Sequence, residues 1–256
     1  MRRMLFRCLL FLLILAFTGC KKSTNPEPKV TVAVSANMQF AIKSIADSFS
    51  AQTKINCELI LGSSGKLTAQ IHEGAPFDIF VSADTKYPNE LYTGKFAEEK
   101  PKIYAEGTLV LWTLKENLEP SLALLNTDTI EHIALANPKT APYGAAAVDV
   151  LKGLPFYQNL TDKLVYGESI AQTNQFITSK SAEIGFTSMA VVLSEEMKNR
   201  GQWITLPNGS YSKLLQSAIL IKKEPGIAKE ARAFYEFLFS EDAQQILKQY
   251  GYAIPN

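Results

Sequence analysis

Val30-Thr31-Val32-Ala33-Val34 is a nearly continuous apolar run, rich in β-branched side chains, near the start of the chain. Such a run is typical of a parallel strand that is covered on both faces. Apolar residues then recur at helical spacing from Phe40 to Phe49. The turn Ser35-Ala36-Asn37 joins the two segments, and we predict that Asn37 caps the helix. The stretch therefore predicts a strand followed by a helix.

The same alternation continues along the chain. Strand-like and helix-like segments follow each other in further pairs, which are residues 55–61 and 67–73, 78–82 and 85–93, 133–136 and 144–151, 163–166 and 170–179, and 182–187 and 189–199. Repeated units of this kind predict an α/β protein with parallel sheets.

Two apolar segments, 107–115 and 217–222, lack a short helix after them. We interpret them as the places where the backbone crosses between two lobes. This interpretation divides the chain into lobe 1, residues 29–106 plus 216–256, and lobe 2, residues 107–215. A ligand is expected in the cleft between the lobes, because open α/β sheets bind ligands beyond the carboxyl ends of their strands.

The N-terminus has the pattern of an export signal. Three arginines among the first seven residues precede an uncharged segment, 8–18, that is too short for a membrane-spanning helix of ~20 residues. The segment ends in Phe17-Thr18-Gly19-Cys20, which resembles the lipobox of bacterial lipoproteins. That resemblance implies a signal peptide at 1–19, a lipid on Cys20, and an exported protein anchored to the cell membrane and facing the periplasm or cell exterior. Residues 20–28 would be an extended tether.

Charge and cysteine content exclude several classes of protein. The 256 residues carry a formal charge of +1, and removal of residues 1–19 takes away three arginines and no acidic residue, which leaves −2. No basic excess is left for nucleic acid. Once Cys20 carries a lipid, Cys57 is the only free thiol of the mature chain, so no internal disulfide can form.

Four turns after predicted strands carry small or helix-capping residues. They are Ser35-Ala36-Asn37, Gly62-Ser63-Ser64-Gly65, Ala141-Pro142-Tyr143-Gly144 and Glu168-Ser169-Ile170-Ala171-Gln172. Pro142 suits the first position of a helix, and Ser169 with Gln172 matches a capping box. Each turn alone reads as an ordinary helix cap. Four of them facing one cleft would surround an anion with helix N-termini.

Three of the segments resemble the molybdate-binding proteins of ABC transporters: Val30–Asn37, Gly62–Leu67 and Gly74–Asp84. The last, Gly-Ala-Pro-Phe-Asp-Ile-Phe-Val-Ser-Ala-Asp, is the most diagnostic, and the resemblance covers nearly all of the mature chain. It implies a type II periplasmic-binding fold of two α/β lobes with two crossovers and an oxyanion enclosed between them. It also implies a monomer without a cofactor that binds molybdate or tungstate and delivers it to an ABC permease.

The resemblance also implies the ligand-binding positions. They are Asn37, Ser64, Tyr143 and Ile170, with Ser188, Ala36 and Ser63 as further candidates. Many members of the family have a serine at the first of these positions and an alanine at the third. Asn37 and Tyr143 therefore resemble a second subgroup, and Ser188 stands where many members have a tyrosine.

Molybdate is a tetrahedral dianion whose oxygens only accept hydrogen bonds, so neutral donors satisfy it and no Arg or Lys is required. Two other ligands of this fold remain open: sulfate, and ferric ion with Tyr143, Tyr211 and Asp84 as candidate ligands. A secreted hydrolase that uses Ser64 and His72 is a third hypothesis. It requires two side chains ~12 Å apart on one helix to meet.

No directly coordinated metal site is predicted. His72 and His132 lie 60 residues apart, without a cysteine or aspartate at ligand spacing. Lys66, beside the turn 62–65, is either an anion contact or an exposed surface residue.

Overall fold

The computed structural model describes residues 29–207 and 209–255. The predictions of a signal peptide, of lipidation at Cys20 and of a tether concern residues 1–28 and lie outside the described residues. Within the described part of the chain, no helix combines the length and the apolar character that crossing a bilayer requires.

The described residues form ten strands and nine α-helices. The strands are β1 (Lys29–Ser35), β2 (Asn56–Gly62), β3 (Ile79–Val81), β4 (Lys102–Gly107), β5 (Leu109–Thr113), β6 (Ile133–Ala136), β7 (Leu164–Gly167), β8 (Ile184–Ser188), β9 (Gln202–Thr205) and β10 (Leu214–Leu220). The helices are α1 (Gln39–Thr53), α2 (Ser64–His72), α3 (Lys86–Thr93), α4 (Pro142–Lys152), α5 (Tyr157–Leu160), α6 (Ile170–Thr178), α7 (Met189–Val192), α8 (Lys229–Phe237) and α9 (Glu241–Gln249). Short 3-10 turns occupy Ala36–Met38, Ala123–Asn126 and Thr161–Lys163.

The strands form two five-stranded sheets with the same topology. Sheet A has the order β2-β1-β3-β10-β4, and sheet B has the order β7-β6-β8-β5-β9. Each sheet is the framework of one lobe. The chain passes from sheet A to sheet B at Thr108, between β4 and β5, and returns between β9 and β10.

The prediction of parallel sheets is right for part of each sheet and wrong for the rest. β1 is parallel to β2 and β3, and β6 is parallel to β7 and β8. In contrast, β10 is antiparallel to β3 and β4, and β5 is antiparallel to β8 and β9. These two strands arrive from the other lobe rather than through a helix of their own sheet, so the rule for strand-helix-strand units does not apply to them.

Apolar side chains cover both faces of sheet A. Val30, Val32 and Val34 of β1 pack in a cluster with α1, α8 and α9, whereas Ala33 packs on the opposite face with α2 and α3. The nearly continuous apolar run of β1 follows from this two-sided burial. Sheet B has its own cluster, which includes Trp112, and Trp112 on β5 lies opposite Trp203 on β9.

Two further differences from the sequence-based predictions concern lobe 2 and the sheet edges. The helix predicted over 189–199 ends at Val192. The N–H of Ser194 donates to the Val191 carbonyl at 3.1 Å and its hydroxyl donates to the same oxygen at 2.8 Å. These local bonds compete with continuation of the helix. The edge strands β4 and β9 were not predicted, because their residues mix polar and apolar types without a clear period.

Candidate functional site

A small cavity of about 10 Å³ lies between the lobes. Pockets for drug-sized ligands are typically ~300–1,000 Å³, so this cavity excludes ligands of that size. Its lining residues come from both lobes: Ser35, Ala36, Asn37, Gly62, Ser63, Ser64, Ala83, Ala141, Pro142, Tyr143 and Ile170.

Helix N-termini converge on this cavity because the strands of both sheets end there. Ser63 directly precedes α2, Ala141 precedes α4 and Ser169 precedes α6, and all three have extended backbone conformations. The first N–H groups of a helix have no acceptor within the helix and lie at its positive end. Pro142 occupies the start of α4, as predicted. The arrangement is suited to an anion.

The described side chains that line the cavity are uncharged. No Lys, Arg or His is found among the described residues around it. Lys66 forms an ion pair with Glu168 of the other lobe, and about half of each side chain is exposed. The described residues around the cavity therefore offer neutral donors to a ligand.

Hydroxyl groups form a connected cluster on the lobe 1 side. The hydroxyl oxygens of Ser35 and Ser64 lie 2.5 Å apart, and the N–H of Ala83 lies 3.1 Å from each of them. Ser82 Oγ lies 3.1 Å from Ser64 Oγ and 3.0 Å from a carboxylate oxygen of Asp84. An ionised carboxylate only accepts, so it takes the Ser82 hydrogen. The bond between Ser35 and Ser64 uses one of their two hydroxyl hydrogens and leaves the other for a further acceptor.

Burial raises the pKa of Asp84 above its ordinary value, while hydrogen bonds from a backbone N–H and from Ser82 oppose that shift. Ser63 adds an unused group, because its buried hydroxyl has no hydrogen-bond partner among the described residues. Buried polar groups are nearly always paired, so a ligand oxygen in the cavity would satisfy Ser63.

The prediction that Asn37 caps a helix is wrong. Asn37 lies inside the 3-10 turn before α1, and its side-chain amide donates to Gln216 Oε1 at 3.0 Å and to the Tyr252 hydroxyl at 3.2 Å. The Asn37 carbonyl accepts from the Ser188 hydroxyl at 3.1 Å and from the Tyr252 hydroxyl at 3.3 Å. Both amide hydrogens are therefore used within the protein, and the backbone N–H of Asn37 is the donor left for a ligand.

Buried tyrosines surround this part of the site. The Tyr143 oxygen accepts from Gln216 Nε2 at 3.0 Å, and the Tyr104 hydroxyl donates to Gln216 Oε1 at 2.8 Å. Burial raises the pKa of Tyr104, Tyr143 and Tyr252 well above 10. These phenols therefore stay neutral and protonated at physiological pH.

Most of the residues predicted for the site meet at one place. Asn37, Ser64, Tyr143, Ile170, Ala36 and Ser63 all line the cavity. Ser188 does not, because its hydroxyl is used on the carbonyl of Asn37. That these residues bind a ligand stays a prediction.

Two groups at the site, the Ser35 hydroxyl and the Ala83 N–H, were not predicted from the sequence, and the helix cap predicted at Ser169 is wrong. Ser35 ends β1, and the search for polar residues after strands could have included it. The N–H of Ala83 is a backbone group that no residue type reveals. The Ser169 side chain makes no capping bond, and Gln172 Oε1 accepts from the N–H of Glu168 at 2.7 Å instead of from Ser169.

The groups proposed for the alternative functions have other partners. His72 Nε2 lies 3.2 Å from Glu90, and its ring packs on Phe96 rather than on Ser64. The Tyr211 oxygen accepts from the N–H of Leu109 at 3.2 Å. Among the described residues, no group of three His, Cys, Asp or Glu side chains is placed to hold a metal ion.

Comparison with known proteins gives a consistent family. A sequence model described as a bacterial extracellular solute-binding protein matches residues 30–253. A molybdate-binding protein of Azotobacter vinelandii is 36% identical to this chain over 228 residues, which is 88% of this chain and 90% of that one. A Bacillus subtilis protein provisionally named an ABC transporter substrate-binding lipoprotein is 29% identical, over 94% of both chains.

A solved structure agrees with these sequences. The periplasmic molybdate-binding protein of Azotobacter vinelandii matches with a TM-score of 0.82 and 32% identity, over 89% of this chain and all of that one. This likeness confirms the predicted type II periplasmic-binding fold with two α/β lobes. The match over residues 30–253 and the 36% identity show that the chain belongs to the bacterial extracellular solute-binding proteins.

Proposed function

We propose that the chain is the extracytoplasmic solute-binding component of an ABC importer and that its ligand is molybdate. The observation that carries this proposal is the small cavity between the lobes, which is lined by hydroxyl groups and helix N-termini and by no cationic side chain of the described residues. The relatives from Azotobacter vinelandii are named for molybdate, which supports the same ligand for this cavity.

The chemistry of the donors favours a fully deprotonated oxyanion. Every oxygen of molybdate accepts hydrogen bonds, and the groups at the cavity are hydroxyls and backbone N–H groups that donate. Phosphate carries a proton at neutral pH, so a site made of donors leaves one of them unpaired, at a cost of ~1–3 kcal/mol. Sulfate differs in size rather than in hydrogen bonding. Tungstate has the charge and size of molybdate, so we propose that it binds equally well.

The alternative functions have less support. A ferric-ion site would need Tyr143, Tyr211 and Asp84 to converge, but each of them is engaged in a hydrogen bond with a neighbouring group. A hydrolase would need His72 beside Ser64, but His72 contacts Glu90 and Phe96. We therefore propose a binding protein and not an enzyme.

We also propose that a lipid anchors the protein to the membrane and that the protein delivers molybdate to its permease. The lipobox-like sequence before Cys20 supports a lipid anchor, and the Bacillus subtilis relative carries the name lipoprotein. A monomer held on a tether would present the closed cleft to its permease. The change Cys20→Ser is expected to release the protein from membranes or leave the signal uncleaved, as measured by membrane fractionation. Unchanged membrane association would contradict the anchor.

A thermal-shift screen tests the ligand. Molybdate and tungstate are expected to raise the melting temperature, because a ligand that binds only the folded state adds RT ln(1 + [L]/Kd) to stability. Phosphate and ferric citrate serve as controls that test the protonated oxyanion and the metal hypothesis, and sulfate tests the size limit. A shift with ferric citrate or phosphate but none with molybdate would contradict the proposal.

A further inference from the structure

Gln216 is a fully buried polar residue of lobe 1 that connects the two lobes. Its carboxamide oxygen accepts from Asn37 Nδ2 at 3.0 Å and from the Tyr104 hydroxyl at 2.8 Å. Its carboxamide nitrogen donates to the Tyr143 hydroxyl at 3.0 Å. Asn37 and Tyr104 belong to lobe 1, so they fix the amide in place. Tyr143 belongs to lobe 2, so the third bond crosses the cleft.

Tyr104, a lobe 1 partner of Gln216, lies at an irregularity of the backbone. In the pairing of β10 with β4, Gln216 lies opposite Ala105 and Ser217 lies opposite Ile103. Tyr104 is therefore the extra residue of a β-bulge, and bulges redirect side chains. The Tyr104 hydroxyl of this bulge lies 2.8 Å from Gln216 Oε1 and 3.0 Å from the Ser82 carbonyl oxygen.

Gly107, the last residue of β4, leaves space for the bond between Gln216 and Tyr143. A Cβ atom on Gly107 would lie 2.1 Å from the Tyr143 oxygen and 2.2 Å from Gln216 Nε2. Gly107 is not among the glycines with a positive φ, so the limit on this residue is space and not backbone conformation. Any side chain here would require the Gln216 amide and the Tyr143 hydroxyl to shift from these positions.

Tyr143 is the second residue of α4, and the N-terminus of α4 lines the cavity. A hydrogen bond that holds the Tyr143 hydroxyl therefore also holds the ligand-facing end of α4. We propose that Gln216 is a positioning residue that couples ligand binding to closure, because it fastens the start of α4 to lobe 1 once the lobes meet. This inference rests on the proposed function, and no ligand contact by Gln216 itself is required.

The coupling has a kinetic signature. An open protein captures the anion before the Gln216–Tyr143 bond forms, whereas release requires that bond to break. Tyr143→Phe removes only the hydroxyl and keeps the lobe 1 bonds of Gln216. It is expected to raise the dissociation rate of molybdate by roughly three- to ten-fold, the loss of one neutral hydrogen bond, with little change in the association rate.

A double-mutant cycle separates this coupling from a purely structural role. Gln216→Leu is expected to raise the dissociation rate at least as much as Tyr143→Phe, and the double variant no more than Gln216→Leu alone. Tyr87→Phe is the matched control, because the Tyr87 hydroxyl donates to the Lys139 carbonyl at 3.1 Å across the exposed rim of the cleft. In the double variant of Tyr87→Phe and Gln216→Leu, the fold-changes in dissociation rate of the two single variants should multiply.

Stopped-flow kinetics with molybdate, and with sulfate as the second probe, provide the measurement. A wild-type dissociation rate in Tyr143→Phe, or independent effects of Tyr143→Phe and Gln216→Leu, would overturn the coupling. If Gln216→Leu does not fold, Gly107→Ala replaces it and is expected to raise the dissociation rate as Tyr143→Phe does. A wild-type rate in Gly107→Ala would then overturn the inference as well. Failure of the wild-type protein to bind molybdate would instead contradict the proposed function, so the two failures are distinguishable.

Discussion

The two lobes contribute different kinds of groups to the cavity. Lobe 1 provides the hydroxyls of Ser35, Ser63 and Ser64, together with backbone N–H groups. Lobe 2 provides the backbone N–H groups of Tyr143 and Ile170 and the Tyr143 hydroxyl, whose oxygen accepts from Gln216 in a bond that does not use the hydroxyl hydrogen. Substitution of a side chain can therefore remove several donors of lobe 1, whereas in lobe 2 it can remove only the Tyr143 hydroxyl, and removal of the N–H donors requires a change in the backbone.

The largest effect is expected from Ser64→Ala, on the lobe 1 side. A hydrogen bond to a charged group is worth ~1.5–3 kcal/mol, so molybdate should bind roughly ten- to hundred-fold more weakly in calorimetry. Ser50→Ala, at a serine on α1 whose hydroxyl donates to the Ile55 carbonyl, is the control and should leave affinity unchanged. Equal affinities of Ser64→Ala and the wild type would show that the Ser64 hydroxyl does not contribute to molybdate binding.

Ile170→Pro is the corresponding change on the lobe 2 side, and we expect about ten-fold weaker binding. Proline lacks an N–H but fits the first position of a helix. Ser169, with φ −148° and ψ 172°, has the extended conformation that a residue before proline requires. Ile170→Val keeps the N–H, changes the side-chain volume to a similar extent, and is the matched control. If both variants bind alike, the N–H of Ile170 makes no contribution.

Ser188→Ala should have a smaller effect, below ~1 kcal/mol in binding free energy. Its hydroxyl supports the Asn37 carbonyl, which keeps a hydrogen bond from Tyr252 at 3.3 Å. Calorimetry on Ser188→Ala, Ser64→Ala and the double variant measures whether both serines act on one ligand. A loss as large as that of Ser64→Ala would place Ser188 in direct contact with the anion.

The smallest effect is expected from ionic strength and from Lys66→Ala. Lys66 is paired with Glu168 and about half exposed, and exposed ion pairs contribute ~0–1 kcal/mol. Affinity for molybdate measured at low and high chloride should therefore change only a few-fold, because screening acts mainly on exposed charges. A steep loss of affinity with salt, abolished in Lys66→Ala, would show that a cation and not the neutral donors attracts the ligand.

The parts of the site that could be predicted are those set by local sequence. Ser63 and Ser64 follow the strand β2 and lie at the start of α2, so their position at a helix N-terminus depends on neighbours in the chain. Pro142 is recognisable for the same reason. The strand-helix alternation likewise predicted the parallel strands of both sheets, because apolar periodicity reflects burial of each segment on its own sheet.

The parts that could not be predicted depend on contacts between distant segments. Gln216 lies in the middle of β10, where a polar residue would suggest an exposed face, and it is buried because Asn37, Tyr104 and Tyr143 provide partners for its amide. The role of Asn37 changes for the same reason, since partners far along the chain take both amide hydrogens. Ser194 shortens α7 from a buried position that local sequence does not reveal.

The pairing of Trp112 with Trp203 in sheet B has a consequence for spectroscopy. The chain has two tryptophans, and they lie opposite each other on β5 and β9, toward the end of the sheet away from Ser188 and the cleft. Trp112 is buried and Trp203 is 36% exposed. Intrinsic tryptophan emission is therefore an optical label of lobe 2, while lobe 1 emits only through tyrosine. In a denaturant titration, the unfolding transitions measured by tryptophan emission and by circular dichroism would coincide if the lobes unfold as one unit. The two transitions would differ in midpoint if each lobe unfolds independently.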